Sequence, residues 1–257
     1  MREDREIPAQ NSQLDREALT SIANEYPADM APGMVRDVSR IAFHLTLVSG
    51  RDLLDIGGAT GLFPVACRAA GFRRVVVIDD FNDPGDRARG VAHSRFGLHE
   101  KYGVEALTRD VLQGLDYVEE FDTVTLFDVL EHLHHSPKRL LHDAVRALRT
   151  GGTLVLAVPN CMNLRKRIAW PLGIGCWTSM LEWYEQPIFR SHVREPSLAD
   201  LRYMARDLGL DDTRIMGRNW SGALASGRVR RAIGTALDLP LRLRPSLCSD
   251  LYLTGRK

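Results

Sequence analysis

Residues 53–61 read LLDIGGATG, and the fold is decided there. Two leucines, Asp55 and Ile56 make an apolar run that stops in a cluster of glycines at 57, 58 and 61. This pattern predicts a buried parallel strand that ends in a tight turn. The following stretch, FPVACRAAGF, sets Phe63, Val65, Ala66 and Ala69 at helical spacing, with Gly71 as a C-terminal stop. Val75 to Ile78 form a second β-branched run, closed by Asp79 and Asp80. Strand, glycine turn, helix, strand and acid make the βαβ unit of a nucleotide-binding sheet. The acid is placed to accept hydrogen bonds from ribose hydroxyls.

A dinucleotide site needs G-x-G-x-x-G, because the third glycine and a helix N-terminus must meet a pyrophosphate. Here Asp55 precedes the first glycine by two residues. An acid there is a poor partner for a diphosphate and a good one for a ligand with a cationic amino-acid end. The stretch resembles motif I of the class I S-adenosylmethionine (SAM)-dependent methyltransferases. Further along, D-V-L-E-H at 128–132 is followed by R-T-G-G-x-L-V-L-x-V-P-N at 149–160. This resembles the pattern downstream of motif I in the same family, in the same order and at a matching separation. H-V-R-E at 192–195, a short link and a helix resemble a segment of its small-molecule branch.

The resemblance covers roughly residues 50–257 and implies an α/β, Rossmann-like fold. Its seven-stranded, mostly parallel sheet has an antiparallel last strand paired between strands five and six, with helices on both faces. It also implies SAM as cofactor, held by Asp55, Gly57, Gly58, Ala59 and Gly61 of the turn, Asp79 at the ribose, Asp110 and Val111 at the adenine, and Asp128 at the end of the fourth strand.

Composition excludes other classes. With 44% hydrophobic and 26% charged residues the chain is ordinary for a globular protein. A formal net charge of +1 supplies no bulk attraction to nucleic acid. No apolar run is long enough to cross a membrane, and MREDREIPAQ at the start lacks the apolar core of a signal peptide. Cysteines 67, 161, 176 and 248 show no C-x-x-C spacing, which fits reduced thiols and a cytoplasmic location.

The expected organisation is a helical cap over 1–49 and a methyltransferase domain over 50–257 with insertions at 161–190 and 219–247. Residues 1–12 are polar and expected to be loose. Helices are expected over about 14–24 and 34–48, either covering the cofactor or simply capping the sheet edge. A turn-rich loop follows Asp80, then a crossover helix over about 87–102 and a short strand ending at Asp110. Thr123 to Phe127 predict the fourth strand, and residues 136–152 an amphipathic helix with Leu140, Leu141, Val145 and Leu148 on its apolar face and Gly151-Gly152 as its stop. Ser197 and Asp200 have capping-box spacing ahead of a helix that buries Leu198, Leu201, Met204 and Leu208. The sixth strand is expected at 213–218 and the last at the C-terminus.

The first insertion holds three of the four tryptophans and the triplet Arg165-Lys166-Arg167. It reads first as an acceptor pocket or lid, second as a surface excursion closing its own small core, and third as a peripheral membrane contact. The second insertion is basic, and its arginines alternate with leucines as on a solvated amphipathic helix.

The expected function is methyl transfer to a small-molecule or lipid-like acceptor, with oxygen as the acceptor atom. The rival is a cofactor-binding regulatory or partner protein of the same fold without turnover of its own. A nicotinamide-dependent reductase is disfavoured by the missing G-x-G-x-x-G. An oxygen acceptor benefits from a general base near neutral pH, and His132 and His192 are the candidates. For His132 a structural role in the turn weighs more, and His134 and His135 read as exposed loop residues. Asp128, Glu131 and His132 at i, i+3 and i+4 would share a face of a helical turn. A similar run in the ubiquinone-pathway O-methyltransferases is linked to a metal. Here the first acid is Asp, one methylene shorter, and no metal is expected.

Overall fold

The computed structural model describes residues 14–81, 92–175, 178–187, 189, 191–220, 232, 236 and 238–257. The expectations for residues 1–12, for the loop at 82–90 with the start of the crossover helix, for Cys176 and Trp177, and for most of 219–247 lie outside the described residues.

The strands form one seven-stranded sheet in the order β3-β2-β1-β4-β5-β7-β6. They are β1 (Asp52–Ile56), β2 (Arg74–Asp79), β3 (Glu105–Thr108), β4 (Phe121–Phe127), β5 (Leu148–Pro159), β6 (Asp211–Arg218) and β7 (Asp250–Arg256). β1 runs parallel to β2 and β4, β2 parallel to β3, and β6 antiparallel to β7. The last strand thus lies between β5 and β6, as the resemblance implies. By compactness the chain divides into two units, 1–125 with 143–153, and 126–142 with 154–257.

In the first unit every residue of β1 is buried, because a central parallel strand is covered on both faces. Helices α1 (Arg16–Asn24) and α2 (Ala31–Leu45) precede it. Asp15 caps α1 by accepting from the Ala18 N–H at 2.8 Å. Helix α3 (Leu62–Ala69) makes the crossover to β2, and α4 (Ala92–Tyr102) the crossover to β3. Glu25 fastens the end of α1 to the end of α4, accepting from Lys101 Nζ at 2.7 Å and from the Tyr102 hydroxyl at 3.1 Å. At the amino ends of the strands, Arg149 bridges Asp52 (2.9 Å) and Asp122 (2.8 Å). Burial would raise the Asp52 carboxyl, but Arg73 and Arg149 outweigh it and hold the group below its usual range.

Helix α5 (Lys138–Ala147) ends earlier than expected. The strand already begins at Leu148 and carries Gly151-Gly152 within it, with Gly151 at φ 79°. The glycines bend the strand rather than stopping the helix. Leu140, Leu141, Ala144 and Ala147 are buried, whereas Val145 is only half-buried.

In the second unit short helices α6 (Leu164–Ala169) and α7 (Met180–Tyr184) precede α8 (Leu198–Asp207). The capping box forms as expected, with Ser197 and Asp200 each accepting from the other's backbone N–H. The buried residues of α8 are Leu201 and Ala205; Leu198 and Met204 are half-buried. Asn160, buried after β5, donates through Nδ2 to the Ser246 and Cys248 carbonyls at 3.0 and 2.8 Å and fixes the loop ahead of β7.

Candidate active site

In the first unit the site grows from the end of β1. Gly57, at φ 73°, turns the chain out of the strand and donates its N–H to the Ile78 carbonyl at 2.8 Å. Gly58 then passes directly over the Asp55 side chain. A Cβ at 58 would stand 2.0 Å from Asp55 Oδ2 and 3.3 Å from Val77 Cγ1. Register sets Asp55 beside Thr125 of β4, and the Thr125 hydroxyl donates to Asp55 Oδ1 at 2.6 Å. Gly58→Ala is therefore expected to destabilise the fold by roughly 1–3 kcal/mol, because the carboxyl has no slack to yield. Urea unfolding measures this.

Burial pushes the Asp55 carboxyl up to about 7, against the Thr125 hydrogen bond, which lowers it; nearby Asp79 adds to the rise. A carboxyl raised in the fold keeps its proton in the native state between its ordinary value and pH 7. Its contribution to stability is greatest at low pH and falls as pH rises through that window, by up to about 4 kcal/mol. Asp55→Asn should remove this slope. The difference between wild-type and variant stability, followed by urea unfolding from pH 4 to 8, reads it directly.

Ala59 follows at φ 46°, a left-handed conformation costly for alanine. Its N–H donates to Asp79 Oδ2 at 3.1 Å. Asp79 Oδ1 accepts from the N–H of Phe81, itself at φ 46°, at 2.7 Å. Two left-handed non-glycine residues thus mark the carboxyl ends of β1 and β2, and one carboxylate joins them. Burial raises the Asp79 carboxyl, partly offset by these two N–H donors. The Asp80 side chain also bonds to this carboxylate and adds to the rise; with about four lone-pair positions on the carboxylate, room remains for a further donor. A turn without side chains at 57, 58 and 61, beside a carboxylate with spare acceptors, fits an adenosyl ribose.

Asp110 lies two residues beyond the end of β3, not on it. It caps a short 3₁₀ turn at Val111–Gln113, accepting from the Leu112 N–H at 2.9 Å. Tyr26, which with Pro27 follows the first helix, and His99 both reach the glycine turn, which no motif in the sequence marks. The Tyr26 hydroxyl donates to the Gly61 carbonyl at 2.8 Å, and His99 Nε2–H donates to the same oxygen at 3.3 Å. The segment between α1 and α2 is therefore tied to the turn. Burial lowers the His99 imidazole, partly offset by that carbonyl.

In the second unit Asp128 stands at the end of β4 with φ 55°, its N–H bonded to the Ala157 carbonyl at 2.9 Å. Leu130–His132 is a 3₁₀ turn rather than the helical turn expected. Side-chain ligand atoms within 4.8 Å of one another come from Glu131, His132 and His192, a group that does not include Asp128.

The H-V-R-E segment explains this grouping. The N–H groups of Val193 and Arg194 donate to the Glu131 carbonyl at 2.6 and 3.3 Å, which lays the segment along the turn. His192 and His132 then meet edge to face, ring centres 5.0 Å apart. His192 Nδ1–H donates to Glu195 Oε1 at 2.9 Å, and Lys166 Nζ pairs with Glu195 Oε2. Glu195 raises the His192 imidazole above its ordinary value; burial opposes this, and Glu131 adds to it. Burial would raise Glu195, but His192 and Lys166 hold it below the usual range. The structure thus joins both candidate bases with Glu131, named above as a possible metal ligand, and adds Glu195 and Lys166. For Glu195 the i, i+3 spacing from His192 was the signal in the sequence, and for Lys166 only the basic triplet at 165–167. His134 is exposed and contacts the Phe189 carbonyl at 3.1 Å.

Comparison with solved structures agrees with this architecture. A SAM-dependent methyltransferase from Thermotoga maritima, described as a possible histamine N-methyltransferase, superposes with a TM-score of 0.56 at 14% identity over 94% of each chain. A SAM-dependent methyltransferase from Archaeoglobus fulgidus gives 0.55 at 18% identity over 86% of this chain and 94% of that one. Phosphoethanolamine N-methyltransferase 2 from Haemonchus contortus, bound to SAM, gives 0.51 at 14% identity, over 81% of this chain and 49% of its own length. At these identities the likeness is one of fold. A search of curated proteins by sequence finds no match. The family model described as a methyltransferase domain matches residues 26–215, which take in the glycine turn, Asp79 and the H-V-R-E segment, and the chain belongs to that family as a methyltransferase of Rossmann-like fold.

Proposed function

We propose that the enzyme methylates an oxygen of a small-molecule or lipid-like acceptor, with SAM as donor and His192 as general base. The observation that carries this reading is the His192–Glu195 pair. A carboxylate on Nδ1–H fixes the tautomer and leaves Nε2 as the basic atom. An amine acceptor has its own lone pair, whereas a hydroxyl must lose a proton as it reacts, and a positioned imidazole serves that need.

In the first unit, Asp79 would hold the ribose, Asp110 and the Val111 N–H the adenine, and the Gly57–Gly61 backbone would allow close approach. Bound SAM supplies a methyl group on a positively charged sulfur, already activated for displacement. His192 Nε2 takes the acceptor's hydroxyl proton, and Glu195 stabilises the resulting imidazolium. Lys166 keeps Glu195 ionised throughout.

The chemistry is assigned without a metal. Glu131, His132 and His192 offer donors, but His192 Nδ1–H is already held by Glu195, whose charge the Lys166 ammonium neutralises. A chelator such as EDTA should therefore leave turnover within about twofold. Loss of activity restored by Mg²⁺ or Zn²⁺ would contradict this.

The test is transfer of labelled methyl from SAM to a panel of phenols, alcohols, amines and carboxylates. Product on phenols or alcohols supports the reading. Product on amines alone, with no change in His192→Ala, would replace it. SAM binding without product across the panel would favour the non-catalytic alternative.

A further inference from the structure

We infer that Tyr26 and His99 are positioning residues for the glycine turn, and that through them cofactor binding is coupled to the docking of the link between α1 and α2. The inference rests on the reading of the 57–61 turn as the SAM site. That turn is held at three points. Its start is fixed by the Gly57 N–H on the Ile78 carbonyl, and its middle by the Ala59 N–H on Asp79. Its end is Gly61, the N-cap of α3, whose N–H closes back onto the Gly58 carbonyl at 3.2 Å. Glycine has no side chain with which to cap the helix, so its peptide is oriented from outside. The Tyr26 hydroxyl and His99 Nε2–H do this, both on the one carbonyl oxygen.

Both donors are buried and committed to this contact. Burial raises the Tyr26 phenol, with Tyr102 adding to the rise, which keeps the hydroxyl a donor at every working pH. His99 Nδ1 is buried and has no hydrogen-bond partner among the described residues. A neutral imidazole has one N–H, and only Nε2 has an acceptor in reach, which assigns the tautomer. A buried unpaired nitrogen costs stability, and this ring bears that cost while its other nitrogen holds the turn.

The link that carries Tyr26 is itself tied down. The Pro27 carbonyl accepts from the Met30 and Ala31 N–H groups at 2.8 and 2.9 Å, so Tyr26 moves with the start of α2. Glu25, the residue before Tyr26, is bonded to Lys101 and Tyr102 at the end of α4, the helix that carries His99. Arg68 of α3 donates through Nε to the Tyr102 carbonyl at 3.0 Å. The link, α4 and α3 thus close a circuit through Gly61, all within the first unit. A ligand that needs the turn in this shape must also favour the link in this place, because a coupling between two equilibria is reciprocal. A contact that serves the fold alone carries no such response to ligand.

Hydrogen exchange followed by NMR, with calorimetry, tests this on the full chain. In the wild type, S-adenosylhomocysteine is expected to slow exchange of the Met30 and Ala31 N–H groups as well as those of the turn. In Tyr26→Phe that protection at Met30 and Ala31 should fall, and S-adenosylhomocysteine should bind about three- to tenfold more weakly, as the loss of one hydrogen bond implies. His99→Leu should weaken binding by a similar factor. His99→Gln, whose side-chain amide can replace the Nε2–H donor, should stay within about twofold of wild type. Affinities are read well below each variant's Tm, so loss of folded protein does not enter. Wild-type affinity in both Tyr26→Phe and His99→Leu, or ligand protection that stops at the turn, would overturn this inference and leave the reading of the turn intact. A His99→Gln variant no better than His99→Leu would overturn the role of His99 as a donor. Absence of S-adenosylhomocysteine binding by the wild type would overturn the reading of the turn and this inference with it.

Discussion

Asp79→Ala is expected to weaken S-adenosylhomocysteine binding by roughly 100-fold or more, as read by isothermal titration calorimetry. The size follows from the number of groups released. A carboxylate on a ribose diol makes two charge-assisted hydrogen bonds, each worth about 1.5–3 kcal/mol. The same side chain accepts from the Ala59 and Phe81 N–H groups, both on left-handed residues. Removing it also frees the strained turn to relax away from the position the ligand needs. Asp79→Asn keeps one acceptor and the volume, so it should fall between wild type and Asp79→Ala. Equal affinity in all three would show that Asp79 faces no ligand.

The second large effect belongs to His192. His192→Ala should lower kcat by about 10²–10⁴-fold with little change in S-adenosylhomocysteine affinity, since general-base catalysis contributes that much. Glu195→Gln separates base strength from packing. Glu195 is the main reason His192 lies above its ordinary value, so the wild-type imidazole is protonated, and inactive as a base, up to a pH above that value. Activity should therefore rise with pH through that raised pKa and level off. In Glu195→Gln the rise should move to lower pH, because the neutral amide no longer favours the imidazolium. The plateau should fall as well, because the ring loses its orienting acceptor. A lowered plateau with an unmoved rise would mean that Glu195 acts only by packing. Lys166 loses its partner in this variant, so Tm is measured alongside.

The glycine turn and the acid that closes β2 were legible because each follows from a local pattern, whereas the strand order was implied by the family resemblance. Apolar runs with helical or strand period and a glycine cluster specify βαβ units without reference to the rest of the chain. The end of α5 was misjudged for a related reason. Gly151-Gly152 carries the usual stop signal of a helix, but the sheet claims the chain from Leu148 onward, and tertiary pairing overrides the local cue. Tyr26 and His99 could not be found that way, since they reach Gly61 from 35 and 38 residues away. The left-handed Ala59, Phe81 and Asp128 were hidden too, because none is the glycine that φ above zero predicts. At the second site His132 and His192 were named separately. What joins them is the backbone pairing of Val193 and Arg194 with Glu131, which side-chain chemistry in the sequence does not reveal.

The central claim is that the turn at 57–61 and Asp79 grip one adenosyl ligand. Titration of the wild-type chain with S-adenosylhomocysteine tests it most directly. The account predicts saturable one-to-one binding in the micromolar range or tighter, with competition by SAM. No heat and no thermal shift up to millimolar ligand would contradict it.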